Sequence, residues 1–298
     1  MSILIGQISY LPDNDLREQR LSASRLQIEW FNKILPNEKI ISVCQNYEAD
    51  ELPDNVTCVP FPSGIGPAKA RNIILREFYN SDYDWLFLCD DDTIFYDHYH
   101  PEYFVDEIKS NPDKFKVLDA ISAVEPEYHA YKKLNYDDKA NLTHYKFVPR
   151  DLGSGSATSF LRNIKKFYGK EIYYPEVDPG SGESLEDVGF MLEWLKADLN
   201  WYTLQTMIRK SYCFSKSSIF GTDQNKRNEV LSRCLDGLCE RYKQDGLYRG
   251  KNGNIVWKDF NDHFNKSQKL LYIERNKTIE FTEGEIPKEK IDTTKYLF

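Results

Sequence analysis

The sequence feature that most constrains the fold is a predicted strand that is followed directly by three acidic residues. Residues 85–89 are five consecutive apolar residues (WLFLC), and Asp90, Asp91 and Asp92 follow without a gap. An unbroken apolar run of this length is typical of a strand that is covered on both faces of its sheet. We therefore predict a buried central strand whose carboxyl end carries three carboxylates.

Three adjacent carboxylates repel one another unless a cation lies beside them. In open α/β sheets, ligands bind at the carboxyl ends of the strands. Mg²⁺ and Mn²⁺ prefer oxygen ligands, and Mg²⁺ usually takes one or two carboxylates together with substrate phosphates. Position and chemistry together favour a divalent metal that bridges a diphosphate. An acidic turn without a ligand is the alternative.

Length and composition are those of a globular protein. The 298 residues are 41% apolar and 14% aromatic, which suits one large domain or a domain with an appendage. We favour a main domain over residues 1–215 and an extension over 216–298. The six cysteines show no CxxC spacing, so we expect reduced thiols and neither zinc nor a disulfide framework. No long apolar run or signal-peptide pattern occurs, which favours a cytoplasmic protein that does not enter a membrane.

Charge is distributed unevenly along the chain. Residues 1–200 carry 21 Lys and Arg against 34 Asp and Glu, a net charge of −13, whereas residues 201–298 carry 18 against 13, a net charge of +5. A strongly acidic protein does not bind nucleic acid indiscriminately, but a basic C-terminal part can hold a polyanion locally. The alternative is that these Lys and Arg residues simply solvate helices.

Strands and helices alternate in the first part of the chain. Residues 2–11 and 39–44 have the apolar content of strands, and residues 57–59 that of a short third strand. Residues 17–32 repeat apolar side chains at helical spacing. A strand, a helix and a strand at this spacing predict a right-handed βαβ unit.

A glycine-rich turn precedes the next predicted helix, which covers residues 73–79. Gly64 and Gly66 lie in the segment PSGIGPAKARN, which also carries Lys69 and Arg71. Glycines let a backbone approach a ligand, and a helix N-terminus with cations nearby favours anions. The P-loop spacing is absent, and a plain turn is the alternative. The helix leads directly into the aspartate strand, and this position favours a ligand-binding role.

This order of parts resembles the nucleotide-sugar glycosyltransferases of the GT-A fold, in particular the large family-2-like group. The resemblance spans residues 1–210. The matching pieces are the first strand, the polar end of the second strand at 46–48, the ARN sequence at 70–72, and the DxD pattern of Asp90 and Asp92. It implies an α/β fold that is Rossmann-like, with a mostly parallel central sheet, flanking helices and a smaller, mainly helical C-terminal extension.

The resemblance also implies how the donor is held. In that family the DxD carboxylates hold a divalent metal and the donor, so Asp90 and Asp92 are expected to bind Mn²⁺ or Mg²⁺, and the donor is expected to be a UDP-sugar. The other residues expected around the nucleotide-sugar are Asp91, Glu48, Gly64, Gly66 and Arg71.

Glu186 and Asp187 are expected to lie on the acceptor side of the active site. Ser184 and Asp187 fit a helix-cap pair, and the helix dipole favours acids in a first turn, so a structural role is the alternative. In the family that the chain resembles, the second acid of a Glu-Asp motif takes the proton from the acceptor hydroxyl. This implies that Asp187 is the catalytic base of an inverting transfer, a role that contributes about 10²–10⁴-fold in rate.

The chain departs from the family pattern after this motif. Members commonly supply a further metal or diphosphate contact, often a His, some tens of residues later. Residues 212–218 (YCFSKSS) contain no His, and Lys216 is the residue expected to contact the diphosphate as a point charge.

The C-terminal part of the sequence contains the features from which we predict the acceptor. Residues 225–242 predict an amphipathic helix, and residues 245–257 predict a β-hairpin in which Arg249 and Lys251 lie among aromatic residues. Cations beside aromatics are used to hold phosphate backbones and stacked bases, although packing is the alternative. The basic tail loosely resembles bacteriophage DNA-modifying transferases. The expected acceptor is therefore a hydroxymethylated pyrimidine of phage DNA, flipped from the stack.

Three alternatives stay open. The acceptor can instead be a polysaccharide or a protein. A sugar-phosphate nucleotidyltransferase would need a Gly-rich, basic signature after the first strand, where this chain has YLPDN. A catalytically inactive GT-A-like binding protein is the non-enzyme alternative, and the complete set of acids argues against it.

Overall fold

We describe the chain from a computed structural model. The residues that it describes are 1–13, 15–48, 51–95, 101–124, 143–149, 158–175, 185–211, 223–253, 255–257 and 269–276.

The strands of these residues are β1 (Ile3–Tyr10), β2 (Lys39–Gln45), β3 (Val56–Phe61), β4 (Trp85–Asp90), β5 (Thr93–Phe95), β6 (Ala120–Val124), β7 (His144–Pro149), β8 (Ser159–Arg162), β9 (Trp201–Ser211), β10 (Leu247–Arg249), β11 (Ile255–Trp257) and β12 (Leu271–Glu274). The α-helices are α1 (Arg17–Ile34), α2 (Pro67–Tyr79), α3 (Pro101–Ser110), α4 (Pro112–Phe115), α5 (Ile164–Tyr168), α6 (Glu186–Lys196) and α7 (Gln224–Arg241). Of the helices described, none is both long and apolar enough to cross a membrane.

A ten-stranded sheet forms the centre, with the order β12-β7-β9-β6-β8-β4-β1-β2-β3 and with β5 paired to β9. β1 is parallel to β2 and β4, and β2 is parallel to β3. β8 is antiparallel to both β4 and β6, and β6 is parallel to β9. β6 and β9 therefore run in the same direction as β1 to β4. This confirms the prediction of an α/β fold with a mostly parallel sheet.

Helices cover both faces of the sheet, and the side chains of β4 alternate between the two faces. Trp85, Phe87 and Cys89 belong to the core that includes side chains of α1 and α3. Leu86 and Leu88 belong to the core that includes side chains of α2 and α6. All five are buried. The prediction that this strand is covered on both faces is therefore confirmed.

α2 lies close against β1. A Cβ atom at Gly6 would lie 2.5 Å from Cγ2 of Ile74, so only glycine allows this approach. The helix begins at Pro67, earlier than the predicted start at Ile73, because proline suits the first helical position. The longer helix includes Arg71 among its early residues and holds it beside the central strands.

The C-terminal elements pack on α6. Val188 and Leu192 of α6 form a small core with Leu238, Tyr242 and Leu247. The predicted helix is present as α7, and the predicted hairpin is present as the antiparallel pair β10 and β11. β12 comes from the same part of the chain but pairs with β7 in the main sheet. The division into two domains stays a prediction.

Candidate active site

The carboxyl ends of β1, β2, β3 and β4 meet at one edge of the sheet, because these strands are parallel neighbours. The segments that follow β2, β3 and β4 contain Glu48, Gly64, Gly66 and residues 90–92. The structure thus brings the predicted donor-side residues to one edge, where ligands bind in open α/β sheets.

Asp90 faces α2 and α6. Nη2 of Arg71 donates a hydrogen bond of 2.6 Å to Oδ1 of Asp90, and Nη1 of the same guanidinium donates to Oε1 of Glu186. Arg71 and Glu186 are buried, whereas 22% of the Asp90 side chain is exposed. One buried arginine therefore joins the end of β4 to the first turn of α6.

α6 begins with the two predicted acids. Burial raises the pKa of Glu186 to about 7; Arg71 opposes this rise and Asp187 adds to it. Asp187 is partly exposed, and its Oδ1 accepts a hydrogen bond of 2.8 Å from the backbone N–H of Val188. Both acids lie in the first turn, as predicted, while the predicted cap partner Ser184 lies outside the described residues. Asp187 is therefore the more accessible acid of this pair.

Asp91 is directed toward α1. Its carboxylate accepts hydrogen bonds from Oγ of Ser9 and from Arg20, whose Nε lies 3.2 Å from Oδ2. Nη1 of Arg20 also lies 3.4 Å from Oδ2 of Asp92. Asp90 and Asp91 therefore each meet a different arginine, Arg71 and Arg20. Asp91 is only 1% exposed, so its oxygens are turned into the protein.

The two arginines keep their charge in this buried setting. Burial by itself lowers the pKa of Arg20, but Asp91 and Asp92 raise it above its ordinary value. Burial likewise opposes the charge of Arg71, whose pKa the neighbouring carboxylates raise. Burial raises the pKa of Asp91 to about 6, with Arg20 opposing the rise and Asp92 adding to it. Each arginine therefore compensates part of the negative charge of the acidic cluster.

A buried amide holds the backbone of the aspartate turn. Nε2 of Gln27 donates hydrogen bonds to the backbone carbonyls of Asp90, at 2.8 Å, and Thr93, at 2.6 Å. Oε1 of Gln27 accepts a hydrogen bond of 2.6 Å from Nε2 of Gln7, whose own Oε1 accepts one of 2.9 Å from Ser42. This chain of amides in the interior fixes both ends of the turn that carries the three carboxylates.

The loops after β2 and β3 are tied together. Oε1 of Gln45 accepts a hydrogen bond of 2.8 Å from the backbone N–H of Ile65, which lies between the two predicted glycines. Gly66 has a φ of 86°, in the left-handed region that favours glycine. Gly64 lies beside the ring of Tyr10, where a Cβ atom would be 3.4 Å from Cε2. The turn is therefore held in place with its backbone near the strand ends.

Glu48 lies on the loop after β2. It is exposed, and its backbone N–H donates a hydrogen bond of 2.6 Å to Glu51. Glu51 pairs with Arg17 of α1 through two contacts of 2.8 and 2.7 Å, and Arg17 also donates to the backbone carbonyl of Asn46 at 2.8 Å. This ion pair fixes the loop against α1 and leaves Glu48 at the rim of the site.

The cluster as a whole is acidic. Two guanidiniums lie among five carboxylates, those of residues 90–92, 186 and 187. An anionic diphosphate would be repelled here unless a divalent cation accompanied it. Asp90 and Asp92 offer the oxygen ligands that Mg²⁺ and Mn²⁺ prefer. Within the described part of the chain, no group of three His, Cys, Asp or Glu residues is arranged to hold a metal ion.

Two residues that organise the cluster, Arg20 and Gln27, are not predicted from the sequence to be more than parts of a helix. Together with the buried Ser24 they recur at helical spacing, so a polar stripe accompanies the apolar face of α1. This polar stripe beside the apolar face of the helix is the sequence signal from which Arg20 and Gln27 could have been predicted.

The remaining phosphate-contact predictions fall on the C-terminal half. Lys216 lies outside the described residues, so its role stays a prediction. Arg249 donates hydrogen bonds to Asp236 at 2.8 Å and to Oγ of Ser232 at 3.1 Å. Its guanidinium therefore braces the hairpin against α7, while Lys251 is exposed.

The fold and the site define an α/β protein in which an acidic cluster, paired with two arginines, lies at the carboxyl ends of parallel strands. No protein-family model matches the chain, and no curated protein matches it by sequence. Among solved structures, S. aureus TarS 1–349 in complex with UDP-GlcNAc matches with a TM-score of 0.46 and 14% identity, over 80% of this chain and 67% of that chain. Glucosyl-3-phosphoglycerate synthase from Mycobacterium tuberculosis, in complex with Mn²⁺, UDP-glucose and phosphoglyceric acid, matches with a TM-score of 0.46 and 12% identity, over 80% of this chain and 79% of that chain.

Proposed function

We propose that this chain is an inverting glycosyltransferase of the GT-A type that moves a sugar from a UDP-sugar to an acceptor hydroxyl. The observation that carries the proposal is the link through Arg71, which holds Asp90 at 2.6 Å and also holds Glu186, the neighbour of Asp187. In sugar transfer, the negative charge on the leaving diphosphate must be neutralised, and a base must take the proton of the acceptor hydroxyl. Arg71 joins Asp90, a proposed metal ligand, to Glu186, the residue next to the proposed base Asp187.

On the donor side, Asp90 and Asp92 would hold Mg²⁺ or Mn²⁺, and that ion would supply charge neutralisation for the leaving diphosphate. Asp91 assists from the interior by keeping Arg20 beside Asp92. The other donor contacts in this proposal are Glu48, Gly64, Gly66, Arg71 and Lys216.

On the acceptor side, Asp187 takes the proton from the acceptor hydroxyl while the acceptor oxygen forms its bond to the anomeric carbon. The bond from that carbon to the diphosphate oxygen breaks, and UDP leaves with the electron pair. Attack and departure take place on opposite faces of the sugar, so the anomeric configuration inverts. Glu186 is buried against Arg71 and does not compete as a base.

The first experiment is calorimetric titration with UDP, UDP-glucose and UDP-N-acetylglucosamine, each with Mn²⁺ and with chelator. We expect binding that needs Mn²⁺ and that an Asp90→Asn/Asp92→Asn variant loses. Asp54 and Asp82 are exposed acids, so an Asp54→Asn/Asp82→Asn variant gives the same change of charge away from the site. Equal loss in both variants, or no binding by the parent, would overturn the proposal.

For the acceptor we propose a hydroxymethylated pyrimidine of DNA. The support is the net charge of +5 over residues 201–298, which is opposite in sign to the rest of the chain. The test is mass spectrometry of duplexes with and without 5-hydroxymethylcytosine after incubation with each UDP-sugar. Sugar on the modified duplex alone supports this acceptor. Transfer to a polysaccharide or protein instead would replace it without affecting the donor assignment.

A further inference from the structure

Two buried hydrogen-bond donors at the centre of the site lack a partner. Within the described residues, Nε of Arg71 and the hydroxyl of Tyr174 are the buried side-chain nitrogen and oxygen atoms without one. Tyr174 is 2% exposed and Arg71 is 3% exposed. Buried polar groups in folded proteins are nearly always hydrogen-bonded, and each exception calls for an explanation. The two side chains are neighbours, so a ligand oxygen that accepts from both accounts for these atoms.

The two donors are neighbours, and packing fixes both. The guanidinium carbon of Arg71 lies 5.3 Å from the centroid of the Tyr174 ring. The side chain of Asn72 exchanges two hydrogen bonds with the backbone of Tyr174, at 2.9 and 2.7 Å. The Tyr174 ring stacks on Phe190 of α6 with centroids 4.0 Å apart. Tyr174 is therefore held between α2 and α6, the two helices that Arg71 and Glu186 join.

Carboxylates surround the pair of donors. Asp90 and Glu186 accept from the other two nitrogens of the Arg71 guanidinium. Burial raises the pKa of Tyr174; Arg71 opposes this rise, and Asp187, Glu186 and Asp90 add to it. The tyrosine hydroxyl therefore keeps its proton and is available as a donor.

We infer that one hydroxyl of the transferred sugar accepts hydrogen bonds from Nε of Arg71 and from the hydroxyl of Tyr174. This inference rests on the proposed function and names Tyr174 as a further sugar-binding residue. A sugar hydroxyl is neutral, has two lone pairs for these two donors, and can give its own proton to a neighbouring carboxylate. A phosphate oxygen would bring negative charge toward Asp90 and Glu186 and has no proton to give.

The position of Arg71 and Tyr174 in the site also suits a bound sugar. Arg71 joins Asp90, on the donor side, to Glu186, next to the proposed base Asp187. The sugar must lie between the metal-bound diphosphate and that base for inversion to occur. Both donors are buried, so neighbouring side chains must shift before a sugar hydroxyl reaches them.

The experiment compares Tyr174→Phe with a control, Tyr79→Phe. Tyr79 is also buried, but its hydroxyl donates a hydrogen bond of 3.1 Å to the backbone carbonyl of Ile172. With Mn²⁺ present, we expect Tyr174→Phe to raise the Kd for UDP-glucose or UDP-N-acetylglucosamine about 3- to 10-fold, the effect of one hydrogen bond, and to leave the Kd for UDP unchanged. Tyr79→Phe should change neither constant.

Thermal unfolding without ligand supplies a second readout. Tyr174→Phe removes a buried hydroxyl that has no partner, so we expect its Tm to equal or exceed that of the parent, whereas Tyr79→Phe should lower Tm. A rise in Tm together with weaker sugar binding is a combination that a merely structural tyrosine would not give. Monodeoxy UDP-glucose analogues then identify the hydroxyl, since Tyr174→Phe should cause no further loss with the analogue that lacks it.

Each other outcome is decisive. Equal weakening of UDP and of the UDP-sugars would assign the two donors to the diphosphate and overturn the inference. Unchanged binding of all ligands would also overturn it, because an ordered water then suffices as the acceptor. If the parent binds UDP-sugars normally in either case, the proposed function stands. Failure of the parent to bind any of them overturns the proposed function and this inference with it.

Discussion

The side-chain amide of Gln27 donates a hydrogen bond of 2.8 Å to the backbone carbonyl of Asp90. The same nitrogen donates to the carbonyl of Thr93, so one buried group on α1 fixes both ends of the aspartate turn. The metal-binding geometry proposed for Asp90 and Asp92 therefore depends on a residue that touches neither carboxylate.

Gln27→Leu should destabilise the protein and weaken nucleotide binding. It leaves two buried carbonyls without their donor, and each unsatisfied group costs about 1–3 kcal/mol. We expect a lower free energy of unfolding in urea and a higher Kd for UDP with Mn²⁺. Asn55→Ala, which removes an exposed amide paired with Asn32, is the control and should change both by little. Normal binding by a folded Gln27→Leu protein would contradict the positioning role.

Asp187→Asn and Glu186→Gln should differ in kinetics. Asp187 is the partly exposed acid, and loss of a general base lowers kcat about 10²–10⁴-fold. Glu186 is buried against Arg71, so Glu186→Gln should retain more activity. Initial rates of sugar transfer test this, with Kd for UDP as the check that Asp187→Asn still binds the donor. Comparable activity of Asp187→Asn and the parent would rule out Asp187 as the base.

Arg71→Met should be strongly destabilising, because it leaves Asp90 and Glu186 without their shared cation. Removal of one partner of a buried ion pair costs about 3–5 kcal/mol. Arg71→Lys keeps the charge but cannot form the two-pronged contact, so we expect an intermediate loss. Urea unfolding of Arg71→Met, Glu186→Gln and the double variant measures the coupling. Additive effects of the two changes would show that the pair contributes little.

Stability should fall as pH rises through the range in which Glu186 loses its proton. Burial raises the pKa of Glu186 from its ordinary 4.5 to about 7. Between these values the folded protein holds a proton that the unfolded chain has released, so a rise in pH favours unfolding. We expect Tm to fall more in the parent than in Glu186→Gln between about pH 5 and pH 8. Asp91, with a pKa raised to about 6, acts in the same direction in both proteins, so the difference reports on Glu186. Parallel Tm curves would contradict the raised pKa.

The donor edge could be predicted from local sequence, because its signals are contiguous. The apolar run of β4 and the acids after it predict, within a dozen residues, a buried strand that ends in a cluster of carboxylates. The partner of each acid could not be predicted in this way. Glu186 lies 115 residues from Arg71 and Asp91 lies 71 residues from Arg20, so these pairs depend on which helices pack on each face of the sheet.

The second half of the sheet was harder to predict. β9 reads WYTLQTMIRKS, which mixes polar with apolar residues and lacks the unbroken apolar run of β4, although the strand pairs with three neighbours. Tyr174 was not singled out either. Its unpaired hydroxyl is a property of packing against Arg71 and Phe190, and a tyrosine among aromatic residues carries no such signal in the sequence.

The contact of Arg71 with both Asp90 and Glu186 has a consequence for how this protein can evolve. A chain cut before α6 would keep β1 to β4 and the three aspartates, but Arg71 would retain only one of its two carboxylate partners. The proposed donor-binding region and the proposed acceptor-activating region therefore cannot be exchanged between proteins as independent modules. Any recombination that replaces one must bring an arginine and an acid that still match across the join.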